Sequence, residues 1–387
     1  MNRTHQLARR AIVVAAIVGL LAGAPVSTVA ATPVFVDPAG LCAGSTPCFP
    51  TIQAGVNNAG PAPAEVRIFP GTYAESVNLA LMGSAIAGSP GTLTMQTVNS
   101  AGAPAAGTAT ITPAAGPAVH GFLSGTLTIA GVRVSSPDDV ALGVEATAVA
   151  LTDVASTGGQ VGGIYVGADE AATLTRVSST AAFGSDGIDV QVGGLAVVTI
   201  TDSSSNGNDD GGWNVNFPYG SDGTVVVTGS AANGNGGGGW NINHGDDGDV
   251  TITNSSADDN GSGGWNVNFG GSGPVSVTNV TGNRNGDHGM NLNNASTATL
   301  SRISTVANGD TGLNVNATGA VSITDATSTD NADEGFNVSA LGGSTFTRVT
   351  ALRNGDDGVD VSGGAATIAS AWLQGNLDEA YGASLSA

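Results

Sequence analysis

The chain has 387 residues, 60 of them Gly, only 4% aromatic residues and a formal net charge of −21; all ten cations are Arg. Hydrophobic residues at 41% allow a sizeable core and exclude wholesale disorder. Abundant Gly, Asn, Asp and β-branched residues exclude a helical bundle. The acidity excludes nucleic acid and anionic membranes as partners, and free polyuronates unless a cation intervenes. Two Cys in so long a chain exclude a disulfide scaffold.

Residues 1–31 have the form of a secretory signal. Arg3, Arg9 and Arg10 make a basic start, Ala11 to Ala22 is an apolar run too short to span a bilayer, and Val29-Ala30-Ala31 offers small residues for cleavage. Arg9-Arg10 fits twin-Arg export or an ordinary basic start. Removal takes three Arg and no acid, so −21 becomes −24. No second long apolar run follows. The expectation is a secreted, periplasmic or cell-surface protein with no membrane span in the mature chain.

Next, Cys42 and Cys48 are six apart and are expected to pair in an oxidising compartment. Thr51 is placed to cap a short helix over residues 52–59, and Glu65-Val66-Arg67-Ile68-Phe69 has strand alternation. Residues 32–80 form an expected N-terminal cap and first coil, and 81–387 an expected repeat region.

A Gly followed by an apolar residue recurs along that region. The apolar member is Ile164, Ile188, Trp213, Trp240, Trp265, Met290, Leu313, Phe336 and Val359, at steps of 24, 25, 27, 25, 25, 23, 23 and 23. Gly121-Phe122 and Gly143-Val144 are expected to be weaker, earlier copies. A second alternating strand recurs in each period, such as Val198-Thr199-Ile200 and Val250-Thr251-Ile252. Units this short bury an apolar face only by stacking, so the fold class is all-β, a β-solenoid of 10–12 coils of 22–27 residues with a short N-terminal cap helix.

Stacking turns repeated residues into columns about 4.8 Å apart. Trp213, Trp240 and Trp265 form an expected inward stack. Asn208, Asn235, Asn260, Asn285, Asn308, Asn331, Asn354 and Asn376 form an expected structural ladder at a turn that suits the left-handed conformation of Asn. Two residues on lies an Asp column; Asp287, Asp310, Asp333 and Asp356 are candidate calcium ligands, with a solvated turn as the plainer reading. Arg302, Asp325 and Arg348 share an offset with Arg176 and suit a surface charge ladder. His120, His244 and His288 do not share an offset and are expected at the surface.

In Trp-Asn-Val-Asn the apolar residues face in, so the Asn face out. Asn214/Asn216, Asn241/Asn243, Asn266/Asn268, Asn291/Asn293 and Asn314/Asn316 would make an array two wide and five long. Asn is depleted in strands, so ten on one face ask for a reason. Mutual side-chain ladders are one; a polar platform for an extended polymer is another.

Thr51-Ile52-Gln53-Ala54, the run Val66-Arg67-Ile68-Phe69-Pro70-Gly71-Thr72-Tyr73 and the Asn-Gly-Asp-x-Gly repeats resemble a secreted right-handed parallel β-helix of the pectin-lyase-like superfamily. The resemblance covers residues from about 50 to 380 and implies the hand of the helix. It also implies where to look for uronan chemistry. Ser185-Asp186-Gly187-Ile188-Asp189, Asp209-Asp210 and Asn243-His244-Gly245 follow the order of the polygalacturonase carboxylate set, whose Arg-x-Lys element is missing here. Asp186, Asp189, Asp209, Asp210 and His244 are therefore the candidate catalytic residues. The leading expectation is a non-enzymatic secreted or surface protein binding a polysaccharide or cell-surface glycan. A polysaccharide hydrolase or lyase, and a structural stalk or adhesin segment, are the alternatives. The short run after Tyr381 leads to an expectation of a terminal cover, end-to-end self-association or a truncated chain.

Overall fold

The computed structural model describes residues 32–60, 63–79, 91–105, 107 and 109–385. The expected signal segment and the expected 80/81 boundary lie outside the described residues. No helix among them is long and apolar enough to cross a membrane.

The helix Ile52–Asn58 is capped by one local residue and one distant carboxylate. Thr51 Oγ1 accepts from Ala54 N at 3.2 Å, and the Glu75 carboxylate accepts from Ile52 N and Gln53 N at 2.7 and 2.9 Å. These bonds satisfy N–H groups that the first turn leaves open. Ile52, Gly55 and Val56 face the strands Val34–Val36 and Ala64–Ile68. A Cβ on Gly55 would lie 2.5 Å from Val36 Cγ2, so glycine permits the approach. Cys42 and Cys48 form a disulfide with Cα atoms 5.9 Å apart.

From there the chain winds as a right-handed parallel β-solenoid of about 12 turns. Strands stack in register: Trp213 pairs with Trp240, Trp240 with Trp265, and Trp265 with Met290. Alternation buries one side of each strand; Trp240–His244, for example, has residues 240, 242 and 244 inside. Each coil adds a second strand, such as Asp249–Ser256, and many add a third short one, such as Ser204–Asn206 or Thr327–Thr329. One continuous apolar core runs from Val34 to Val361.

Two corners each turn on a single residue with positive φ. One column includes Asp153, Arg176, Arg302, Asp325 and Arg348, with φ between 52° and 56°. The other includes Asp259, Arg284, Ala307, Asp330 and Arg353, with φ between 54° and 60°. Each member of the second column precedes a ladder Asn. The expectation that the ladder Asn themselves take the left-handed conformation is thus corrected: the turn residue is the one before. Charged pairs clamp these corners. Arg176, Arg284, Arg348 and Arg353 each donate two bonds to an Asp one coil earlier, at 2.5 to 2.8 Å.

The two early copies are also corrected. Val119 pairs with Leu142 and Leu142 with the later anchor at Ile164, so Gly143-Val144 lies two residues too far along. Phe122 is three residues past Val119 and faces out, 54% exposed. The two-residue slip of Val144 preserves a period-two pattern, so alternation alone does not reveal it, whereas the three-residue offset of Phe122 reverses its phase.

Candidate functional site

The motif Asn-x-x-x-Gly-apolar has a steric cause. Asn260 is 2% exposed; its Nδ2 donates to Asn285 Oδ1 at 3.0 Å and to Ala232 O at 2.9 Å. Its Oδ1 accepts from Asn235 N and Asn235 Nδ2, at 3.1 and 3.0 Å. All four of its amide valences are used. The ladder links Asn208 through Asn376 in this way, each amide donating to the following coil. The anchor Gly of the coil before lies against that amide. A Cβ on Gly239 would lie 2.7 Å from Asn260 Nδ2, and one on Gly264 2.6 Å from Asn285 Nδ2. Glycine is needed here for close approach, since neither residue has a positive φ.

Beside it, the rings of Trp213, Trp240 and Trp265 stack at 4.8 and 5.0 Å within 3° of parallel. Their Nε1 atoms donate to the carbonyls of Ala231, Ser256 and Thr281 at 3.1, 3.2 and 2.8 Å. Each indole buries its ring and satisfies its one donor.

The outward Asn residues also pair, with opposite polarity. Asn241 donates to Asn214, Asn266 to Asn241, Asn291 to Asn266 and Asn314 to Asn291, at 3.0 to 3.2 Å. Asn214 continues the row to Asp189 Oδ1 at 3.2 Å. In the second column Asn243 donates to Asn216, Asn268 to Asn243 and Asn293 to Asn268, at 2.7 to 3.0 Å. That column ends there. A register shift between Leu292 and Ala295, with Asn294 at φ 58°, takes Asn316 out of line. The second column is therefore four Asn long, against the expected five. Each linked amide within a column commits one N–H and one acceptor site, leaving one of each.

Two grooves flank the array. One of about 470 Å³ runs along Gly211, Gly238 and Gly263 beside Asn241, Asn266 and Asn291, with Asp186 and Asp210 among its lining and Asp287 and His288 beyond. The other, of about 390 Å³, is lined by Phe122, Glu145, Tyr165, Gln191 and Asn216. Tyr165 and Asp189 extend the first Asn column in register, and Gln191 extends the second. Tyr165 OH donates to Glu145 Oε1 at 3.4 Å.

Of the candidate catalytic residues, Asp186, Asp189 and Asp210 come together at one end of the array. Burial pushes the Asp186 carboxyl up to about 6, with Asp189 and Asp210 adding repulsion. Burial also raises Asp189, while bonds from Gln191 at 2.7 Å and Asn214 hold it down. Asp209 is exposed and outside both grooves. His244 is buried between Phe217 and Phe269, 3% exposed, which corrects both its surface assignment and its candidacy for catalysis. It ends a strand on the inward phase, one residue past the outward Asn243.

The candidate calcium ligands do approach one another. Asp287, His288 and Asp310 have possible ligand atoms within 4.8 Å, as do Asp333, Glu334 and Asp356, and Asp356, Asp357 and Asp378. Desolvation, then Glu334, Asp310 and Asp356, raise the Asp333 carboxyl to about 6. Like charges stacked at coil spacing produce that crowding with or without an ion.

No family model, no curated protein and no solved structure matches this chain. The fold and the site geometry carry the functional reading. Sequence reasoning passed over Tyr165, Glu145, Phe122 and Gln191. The signal for Tyr165 was its place one residue after the anchor Ile164, the same offset as Asn214 after Trp213.

Proposed function

We propose that this chain is a secreted or cell-surface β-solenoid that binds a neutral, extended glycan along its outward Asn array, without catalysis. The observation that carries this reading is the half-used amide. Each linked platform Asn within a column retains one donor and one acceptor at an interval of about 4.8 Å, whereas Asn235, Asn260, Asn285, Asn331 and Asn354 in the buried ladder retain none. A sugar chain offers hydroxyls that both donate and accept, and the net charge of −21 disfavours polyanions. The N-terminal segment supports export, and the likeness to pectin-lyase-like β-helices supports a polysaccharide partner.

A second reading, a polysaccharide hydrolase, has one specific support: the grouping of Asp186, Asp189 and Asp210 with a raised Asp186. Such a carboxyl can carry a proton near neutral pH. Incubation with neutral glucans, polygalacturonate and alginate, with and without calcium, separates the two. The binding reading expects retention of a neutral glucan with little dependence on salt and no new reducing ends or unsaturated products. Product formation would establish the enzyme instead.

A further inference from the structure

We propose that His244 is an acid-sensitive latch beneath the second Asn column, whose protonation drives the ring from the core and loosens the strand end that carries Asn243. The ring lies 4.2 Å from Phe217 and 5.5 Å from Phe269, within 16° of parallel to both. These three residues directly follow Asn216, Asn243 and Asn268 on adjoining strands, so the stack supports the column from behind. Glycines hold the slot open. A Cβ on Gly223 would lie 2.1 Å from Phe217 Cε1, one on Gly248 2.0 Å from His244 Cε1, and one on Gly273 2.7 Å from Phe269 Cε1.

A phenylalanine would suit this slot; a histidine brings two polar nitrogens into it. Neither makes a hydrogen bond. The Ser221 backbone is near enough to favour the protonated ring but lies outside hydrogen-bonding geometry. Neutral imidazole stacks as an aromatic ring. Imidazolium would gain attraction from the two phenyl faces, yet would lose its hydration with neither N–H in hydrogen-bonding geometry. Burial dominates and lowers the affinity for a proton.

The charged groups whose fields reach the ring are Asp249 and Asp222, both acidic. Asp246 and Asp247 lie in the turn that follows it, and no Arg occurs between 176 and 284. A ring expelled as a cation would meet carboxylates only. The turns themselves rest on bonds from Asp247 N to Asp222 Oδ1 and from Ser272 N to Asp247 Oδ1, at 3.2 and 2.6 Å. With the folded affinity below the usual value near 6.5, the contribution of neutral His244 is complete above that pH and is lost as pH falls through it.

Hydrogen exchange of the full chain tests this, with rates normalised for intrinsic pH dependence at pH 7.5 and 5.0. Protection over residues 240–250 should fall as pH drops below 6.5, by up to roughly ten-fold per pH unit, the limit for one proton taken up on opening. His244→Phe, which keeps the stack without the titration, should abolish that fall. The same fall in His244→Phe, or none in the native chain, would overturn the proposal. If His244→Phe does not fold, the ring's own NMR titration in the native chain decides: a transition well below 6.5 with loss of protection is expected, and ordinary titration near 6.5 in an intact coil would overturn it.

Discussion

The molecule carries asparagine ladders in two settings, buried at a corner and exposed on a face. Asn260 and Asn266 belong to the same coil and both link amide to amide across neighbouring coils. The difference is saturation. Asn260 has its donors and acceptors filled by the neighbouring Asn and by backbone groups, in a space closed by Gly239. Asn266 is half-buried and has only its column neighbours as hydrogen-bond partners. The same residue in the same ladder geometry is thus saturated where water is excluded and half-used where water is admitted. An unmade bond costs far more in the first place than in the second.

Matched substitutions put numbers on that difference. Asn260→Ala should be the most damaging, at about 3–5 kcal/mol, because it strands buried groups on Asn235 and Ala232 at about 1–3 kcal/mol each. A solenoid opens locally, so protection of the coils around 235–285 should fall before the rest. Gly264→Ala should follow, at about 1–3 kcal/mol, since the new methyl meets Gly289 O at 2.5 Å and Asn285 Nδ2 at 2.6 Å. A neutral result there would show that the corner can relax.

Asp186→Asn probes the end of the exposed row. The folded carboxyl, pushed up to about 6, binds its proton more tightly than in the unfolded chain. The contribution of Asp186 to native stability is therefore fullest below about pH 4 and declines as pH rises toward 6. Asn removes the decline, so melting curves should show the variant gaining on the native chain over that interval, by about 1 kcal/mol after solvent screening. A gain in the opposite direction would mean that the carboxylate is the stabilised form. Asn266→Ala should cost least, about 0.5–1 kcal/mol, because its partners can turn to water.

Much of this was legible in the repeat alone. The spacing of Trp213, Trp240 and Trp265 put their rings in one inward stack, and the rings do stack at about coil spacing. The in-out phase of Trp-Asn-Val-Asn separated the two kinds of Asn. What escaped was set by backbone detail that residue type encodes weakly. Ala307 and Arg353 adopt positive φ, although neither favours it, because the ladder on both sides holds the corner. The break after Asn293 depends on a bulge at Asn294, where Asn follows Asn and alternation gives no phase. His244 takes the inward phase of its strand despite its polar ring, so residue type alone misplaces it at the surface.

The claim that the outward array is a binding face rests on one comparison of stability with affinity. Asn241, Asn243, Asn266 and Asn268 can be replaced together by Ser, and both melting temperature and affinity for a neutral glucan measured on that one variant. The account predicts a folded protein with a modestly lowered melting temperature and an affinity weakened by about 0.5–1.5 kcal/mol per lost ligand bond. A lowered melting temperature with unchanged affinity would contradict it and leave both ladders structural.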